Sequence, residues 1–207
     1  GHHAGRAPAN KGQKLPVEVL TAAEVRDLLA ACGTRSPSGV RNKALLAVFA
    51  GAGLRLAEAL ALMPRDVDLD RQTLTVREGK GRKRRVASMT NEAAALLARW
   101  LDRRAALGLN GRQPVFATIS DSSRGRALSQ GYVRTLLPRL ARRAGIDKRV
   151  HPHGLRHFYA VMHRRSGTDI GHVSQLLGHS SIATTARYLQ HIDPLEALEA
   201  GRGLEAW

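Results

Sequence analysis

Val25, Leu28 and Leu29 recur at the three-and-four spacing of a single helix face. The stretch "TAAE" sits just before them, where the Thr21 hydroxyl can accept from a free amide and Glu24 can reach back. This pattern predicts a helix that starts at Thr21 and ends near Gly33. "RSPSG" then reads as a loop and "VRNKALLAVFA" as a buried helix. "GAG" reads as a turn, and "LRLAEALAL" as a short helix that stops before Pro64.

The periodicity changes after that proline. "TLTVR" and "RKRRVASM" have β-branched, alternating character and flank the glycines of "EGKG", which predicts a small hairpin with a basic tip. "PVFAT" is a candidate third strand. An amphipathic helix is expected from Thr90 through Trp100, and helical patterns dominate from Ser129, interrupted at Pro138 and Gly145. "SDSSRGRALS" reads as a mobile surface loop. The expected class is mainly α with a small antiparallel sheet (α+β).

Composition narrows the partners. The 207 residues carry 33 Lys+Arg against 17 Asp+Glu, a formal charge of +16, with a pI near 11.4. Folding does not require such a surplus, and it attracts polyanions, so DNA or RNA leads the list of partners. No run of about 18 apolar residues and no signal-peptide pattern occurs, so no membrane role is expected and a cytoplasmic, nucleoid-associated location is. Cys32 is the single cysteine, which excludes an internal disulfide framework and a cysteine-based zinc site. Residues 1–16 are polar and aperiodic, and are read as a flexible tail or the end of a linker from an upstream domain, with "GHH" resembling a tag remnant.

Several familiar motifs fail on inspection. "GAGLRL" has G-x-G, but Leu56 stands where a dinucleotide fingerprint needs its third glycine. "DVDLD" spaces Asp66, Asp68 and Asp70 like an EF-hand, yet Arg71 and Arg77 fall where that loop needs Gly and Glu. Neither a P-loop nor H-E-x-x-H occurs. No cofactor and no metal site is expected.

What remains is a set of bases and phenols. His153 and Arg156 are three residues apart on a predicted helix, about 60° from each other, beside an apolar stripe of Leu155, Phe158, Tyr159 and Met162. Taken alone, they fit a capped helix end as well as a site. Arg55 and Glu58 fit an ordinary surface ion pair, and "GKGRKRR" with Lys80 between two glycines fits a solvated turn. His179 precedes a helix expected to begin near Ser181, where Ile182, Ala186 and Leu189 share an arc of about 60° and Tyr188 points about 120° from Ile182. Tyr159 lies in its own apolar stripe and Tyr132 borders another. Tyr188 is therefore the best candidate nucleophile.

In order along the chain, "GAGLRLAEALAL", "GKGRKRR", "HPHGLRHFYA" and "LLGHSSIATTARYLQHI" resemble the tyrosine recombinase, or phage-integrase, family. The resemblance covers about residues 20–195, with 17–193 as the catalytic domain and 194–207 as a C-terminal helix or tail that docks in cis or in trans. It implies that Arg55 and Arg156 clamp a scissile phosphate, Lys80 serves the leaving oxygen, Tyr188 attacks, and His153 and His179 complete the site. It also narrows the partner to double-stranded DNA and implies a homotetramer on two DNA sites, with a monomer allowed without DNA, and a separate DNA-clamping domain upstream. The family's proline at the end of the second strand is replaced in "RVASM". The same residues also suit type IB topoisomerase chemistry. Charge alone would suit a DNA-binding regulator with a decayed site, and the three aspartates an acidic-cluster nuclease.

Overall fold

The computed structural model describes residues 19–77, 84–178 and 181–189, excepting the side chains of Arg187 and Tyr188. Helix α1 (Ala22–Ala31) begins as its sequence predicts: the Thr21 hydroxyl accepts from the Glu24 N–H, and Glu24 accepts from the Thr21 N–H. Helix α2 (Pro37–Ala52) starts earlier than its apolar run, because Ser36 caps the Gly39 N–H and Pro37 opens the first turn, where a missing N–H is harmless. "RSPSG" is thus largely the start of a helix. From Ala44 to Ala52 every residue of α2 is buried, as expected of a helix apolar all round and enclosed by its neighbours.

Gly53 ends α2 with φ +61, and a Cβ at that position would overlap the Tyr159 ring. The turn thus needs glycine both for its left-handed backbone and for close packing. Helix α3 (Leu56–Leu60) follows. A three-stranded antiparallel sheet comes next, β1 (Val67–Asp68), β2 (Thr73–Val76) and β3 (Arg85–Ser88), in the order β1-β2-β3. The register of β2 on β3 pairs Thr73 with Ser88 and Val76 with Arg85.

"PVFAT" is not the third strand. Val115, Phe116 and Ala117 are all fully buried, which an alternating edge strand would not be. Their backbone groups find partners elsewhere: the Val115 N–H donates to the Leu62 carbonyl, and the Val115 carbonyl accepts from Trp100 Nε1 at 2.8 Å. "SDSSRGRALS" lies at the surface, as expected, and carries a short 3-10 turn at Asp121–Ser123 and an isolated bridge from Ala127 to Ala117.

Helix α4 (Asn91–Ala106) is capped by Thr90 and buries Leu97 and Trp100. Helix α5 (Gln130–Arg143) runs through Pro138 without interruption. Pro138 and Arg134, whose carbonyl loses its helical partner, both face solvent, while Val133, Leu136, Leu137 and Leu140 hold the opposite face in the core. Helices α6 (Pro152–Arg165), α7 (Ile170–Leu177) and α8 (Ile182–Leu189) complete the order.

Two predicted stripes need correcting. On α6, Leu155 and Tyr159 are buried but Met162 is 40% exposed. On α8, Ile182 is 56% exposed, and the buried face runs through Thr185 and Leu189 at i and i+4. The second helix is short and packs only one edge against α6 and α7, so the inward face is set by docking rather than by apolar content. Among the described residues no helix is long and apolar enough to cross a membrane. The predicted C-terminal helix within 194–207 lies outside the described residues.

Candidate active site

Arg55 is the residue just before α3, and Glu58, at the third helical position, accepts from the Arg55 N–H at 2.8 Å. The same carboxylate takes the Arg55 guanidinium at 2.8 Å through its other oxygen. The surface ion pair suggested by the spacing is therefore real, but it is not a surface pair, because Glu58 is only 7% exposed.

Glu58 gathers more than one cation. Arg85, at the first position of β3, donates to it at 2.8 Å, and Arg156 of α6 approaches to 4.0 Å. One buried carboxylate faces three guanidinium groups, leaving two positive charges in excess. Burial by itself would raise the Glu58 pKa. The Arg55 N–H and the charges of Arg85 and Arg55 more than offset that, and the group stays below the ordinary carboxylate value.

The other side of the cluster is the C-terminal end of α7. Three successive carbonyls there each accept from a different arginine: Leu176 from Arg85 at 3.2 Å, Leu177 from Arg156, and Gly178 from Arg55 at 3.3 Å. The last carbonyls of a helix lack intrahelical partners and carry the negative end of its dipole, so cations are favoured there. Arg156 also donates to the Gly53 carbonyl, tying the "GAG" turn to the same cluster. Gly178 has φ +62, and a Cβ on it would overlap the Arg85 side chain. The glycine of "LLGH" thus serves both backbone and packing.

His153 sits on the rim, in the first turn of α6, on the same helix as Arg156. Its ring stacks on His151 with centroids 6.3 Å apart and planes 11° from parallel. Partial desolvation, then the charges of Arg156, His151 and Arg55, hold its pKa below the ordinary histidine value. His151 is the N-cap of α6: its Nδ1 accepts from the Gly154 N–H at 2.9 Å, so the histidine at this helix end binds an amide and not a carbonyl.

The structure therefore brings together three of the six residues singled out from the sequence, Arg55, His153 and Arg156. Lys80 and His179 lie outside the described residues. Tyr188 belongs to α8, which packs against α6 and α7, and its side chain is likewise not described. Tyr159 is 2% exposed, with its hydroxyl 3.4 Å from Ser88 Oγ. It is a core residue, as its stripe predicts. Asp66 does not assemble with Asp68 and Asp70 into a metal site: it is buried, accepts from the Met63 N–H, and is bonded by Arg77. Among the described residues no cluster of three His, Cys, Asp or Glu side chains could hold a metal.

Comparison with known proteins gives this arrangement a lineage. The model of the phage integrase family matches residues 18–193. The chain belongs to that family. It is 42% identical over 188 residues to tyrosine recombinase XerC of Xanthomonas axonopodis pv. citri (strain 306), an alignment covering 91% of this chain and 58% of that protein. The chain thus spans somewhat over half the length of the curated relatives it matches.

Among solved structures, XerA recombinase superposes with a TM-score of 0.79 at 31% identity, covering 97% of this chain and 70% of that one. XerH recombinase, described as bound to palindromic difH substrate in a post-cleavage complex, superposes at 0.72 and 28% identity over 96% of this chain and 56% of that one. The mostly helical body with a small three-stranded sheet is therefore the family's catalytic-domain fold.

Proposed function

We propose that this chain is the catalytic part of a site-specific DNA recombinase, cutting and rejoining duplex DNA through a 3′-phosphotyrosyl intermediate without metal or ATP. The observation that carries the reading is the two-charge excess around Glu58, held against the α7 terminus with His153 at its rim. The XerC, XerA and XerH likenesses support the same reading, and the XerH complex supports duplex DNA as the partner.

Attack on a phosphodiester builds negative charge on the nonbridging oxygens, and planar guanidinium forks meet that charge with paired donors. Arg55, with a third of its side chain exposed, meets the phosphate first, and Arg156 supplies charge at the floor of the site. Tyr188 Oη forms the new bond to phosphorus. Its phenol, with an ordinary pKa of about 10, must lose a proton as it attacks. His153 takes that proton, being held neutral near pH 7 by its surroundings.

The 5′ oxygen leaves as an alcohol once Lys80 has protonated it, and His179 adds a donor to the phosphate. The phosphotyrosyl ester keeps the energy of the broken bond, so a 5′ hydroxyl from another strand can reverse the step. Exchange between two duplexes requires four such cleavages, which calls for four protomers, each supplying one tyrosine.

The test is a nicked suicide duplex carrying a candidate site, incubated with chelator and no ATP and resolved in SDS. The expected result is a covalent protein–DNA adduct that is absent in Tyr188→Phe. An adduct surviving in Tyr188→Phe would overturn the assignment of the nucleophile. Transfer of a labelled strand to a second duplex separates recombination from relaxation.

A further inference from the structure

Arg85 is the one member of the Glu58 cluster to which the proposed reaction gives no part. Only 14% of its side chain is exposed, and its buried Nε finds no hydrogen-bond partner among the described residues. From β3 it spans two elements, donating to Glu58 at 2.8 Å and to the Leu176 carbonyl at 3.2 Å. Gly178 packs directly on its guanidinium side, where any Cβ would collide. Both of its terminal nitrogens are thus committed within the protein, to the carboxylate and to the end of α7, whereas Arg55 is one-third exposed.

Its position has an electrostatic consequence. Glu58 Oε2 accepts from Arg85 at 2.8 Å and lies 4.0 Å from Arg156 Nη1. With Arg85 absent, the same oxygen would be satisfied by the cations that remain, and the excess charge over the site would fall from two to one. Arg85 carries a depressed pKa of its own, chiefly from desolvation, and the charge of Glu58 opposes that depression. The buried carboxylate and the half-buried guanidinium therefore answer each other.

We propose that Arg85 is a positioning residue, which saturates Glu58 and anchors the α7 terminus so that Arg55 and Arg156 keep their charge for the scissile phosphate. This rests on the recombinase reading above. It concerns a residue that acts through the two arginines assigned to the phosphate.

The experiment compares single-turnover adduct formation by the wild type, Arg85→Met, Arg85→Lys and the double variant Glu58→Gln/Arg85→Met. Two nicked duplexes are used, one with an ordinary scissile phosphate and one with a neutral methylphosphonate at that position. Arg85→Met should slow adduct formation on the phosphodiester by about 100-fold while duplex affinity changes by less than about 3-fold. The defect should shrink by at least about 10-fold on the methylphosphonate, where less charge needs to be met. Arg85→Lys and the double variant should each recover at least about 10-fold over Arg85→Met, the first by restoring the cation and the second by removing the anion it neutralises.

Equal losses on both duplexes, or a double variant no better than Arg85→Met, would make Arg85 a scaffold and overturn the proposal. So would loss of folding in both Arg85→Met and Arg85→Lys. A wild type that forms no tyrosine adduct removes the recombinase reading, and this proposal falls with it. A wild-type adduct with an unaffected Arg85→Met rejects this proposal alone.

Discussion

Two corners of the molecule bury arginine, and they do so in different ways. Arg104, 4% exposed at the end of α4, donates to the carbonyls of Leu109, Asn110, Gln113 and Pro114. Among the described residues it forms no ion pair with a carboxylate, and its donors are consumed in holding the turn after α4. The cluster around Glu58 spends its donors on carbonyls as well, but three guanidinium groups share a single carboxylate, and one of them stays partly exposed. The first arrangement closes a loop, whereas the second leaves charge standing at a rim. Burial of a cation is thus no sign of function; unneutralised charge beside an accessible donor is.

Substituting one arginine from each corner should separate the two uses. Arg156→Lys keeps a positive charge but loses the planar fork that reaches Gly53 and Leu177, and should lower the rate of adduct formation by about 1,000-fold, measured at saturating protein. Arg104→Met leaves four carbonyls without their donor, those of the buried Leu109, the half-buried Gln113 and Pro114, and the exposed Asn110. It should cost about 3 kcal/mol in urea unfolding, with adduct formation per folded molecule unchanged. A catalytic defect in Arg104→Met, or a purely thermodynamic one in Arg156→Lys, would erase the distinction.

A smaller effect is expected where the fold meets the site. Gly53→Ala combines a left-handed φ with overlap on the Tyr159 ring, and should destabilise by about 2 kcal/mol. Gly108 has a similar φ of +75 but open space where a Cβ would stand, so Gly108→Ala should cost about 1 kcal/mol. Because the Gly53 carbonyl also holds Arg156, only the first variant should slow adduct formation beyond its loss of folded protein.

The sequence was most readable where local chemistry decides the structure. The capping box at Thr21, the helix that begins after Thr90 and the β2–β3 pairing all follow from neighbours within a few residues, and the structure agrees with each. It was least readable where distant partners decide. Nothing near "PVFAT" reveals that Leu62, Trp100 and Leu128 will take up its backbone groups. Glu58 was visible only as the i+3 partner of Arg55, because its ties to Arg85 and Arg156 span 27 and 98 residues of chain. Arg85 and Arg104 were hidden in the basic surplus, since a charge count cannot distinguish solvated guanidinium groups from half-buried or buried ones. A buried acid three residues after an arginine and beside an apolar run was the signal available for Glu58.

The smallest expected effect concerns the histidines at the rim. His151 and His153 are both held below the ordinary histidine pKa, mainly by desolvation and then by nearby cations. The unfolded chain, with histidines near 6.5, therefore takes up protons before the folded chain does. Their contribution to stability should be constant above about pH 7, fall as the pH drops below about 6.5, and level off below their folded-state values. Protonation of His151 at Nδ1 would also remove the acceptor that caps the Gly154 N–H. His151→Asn keeps a good capping residue and deletes one titrating group, so its unfolding free energy should fall less steeply between pH 7 and 5. Adduct formation by the same variant should retain its acid limb, because that limb belongs to His153; if the limb disappears with His151, the proton acceptor is the capping histidine, and the roles assigned to the stacked pair are reversed.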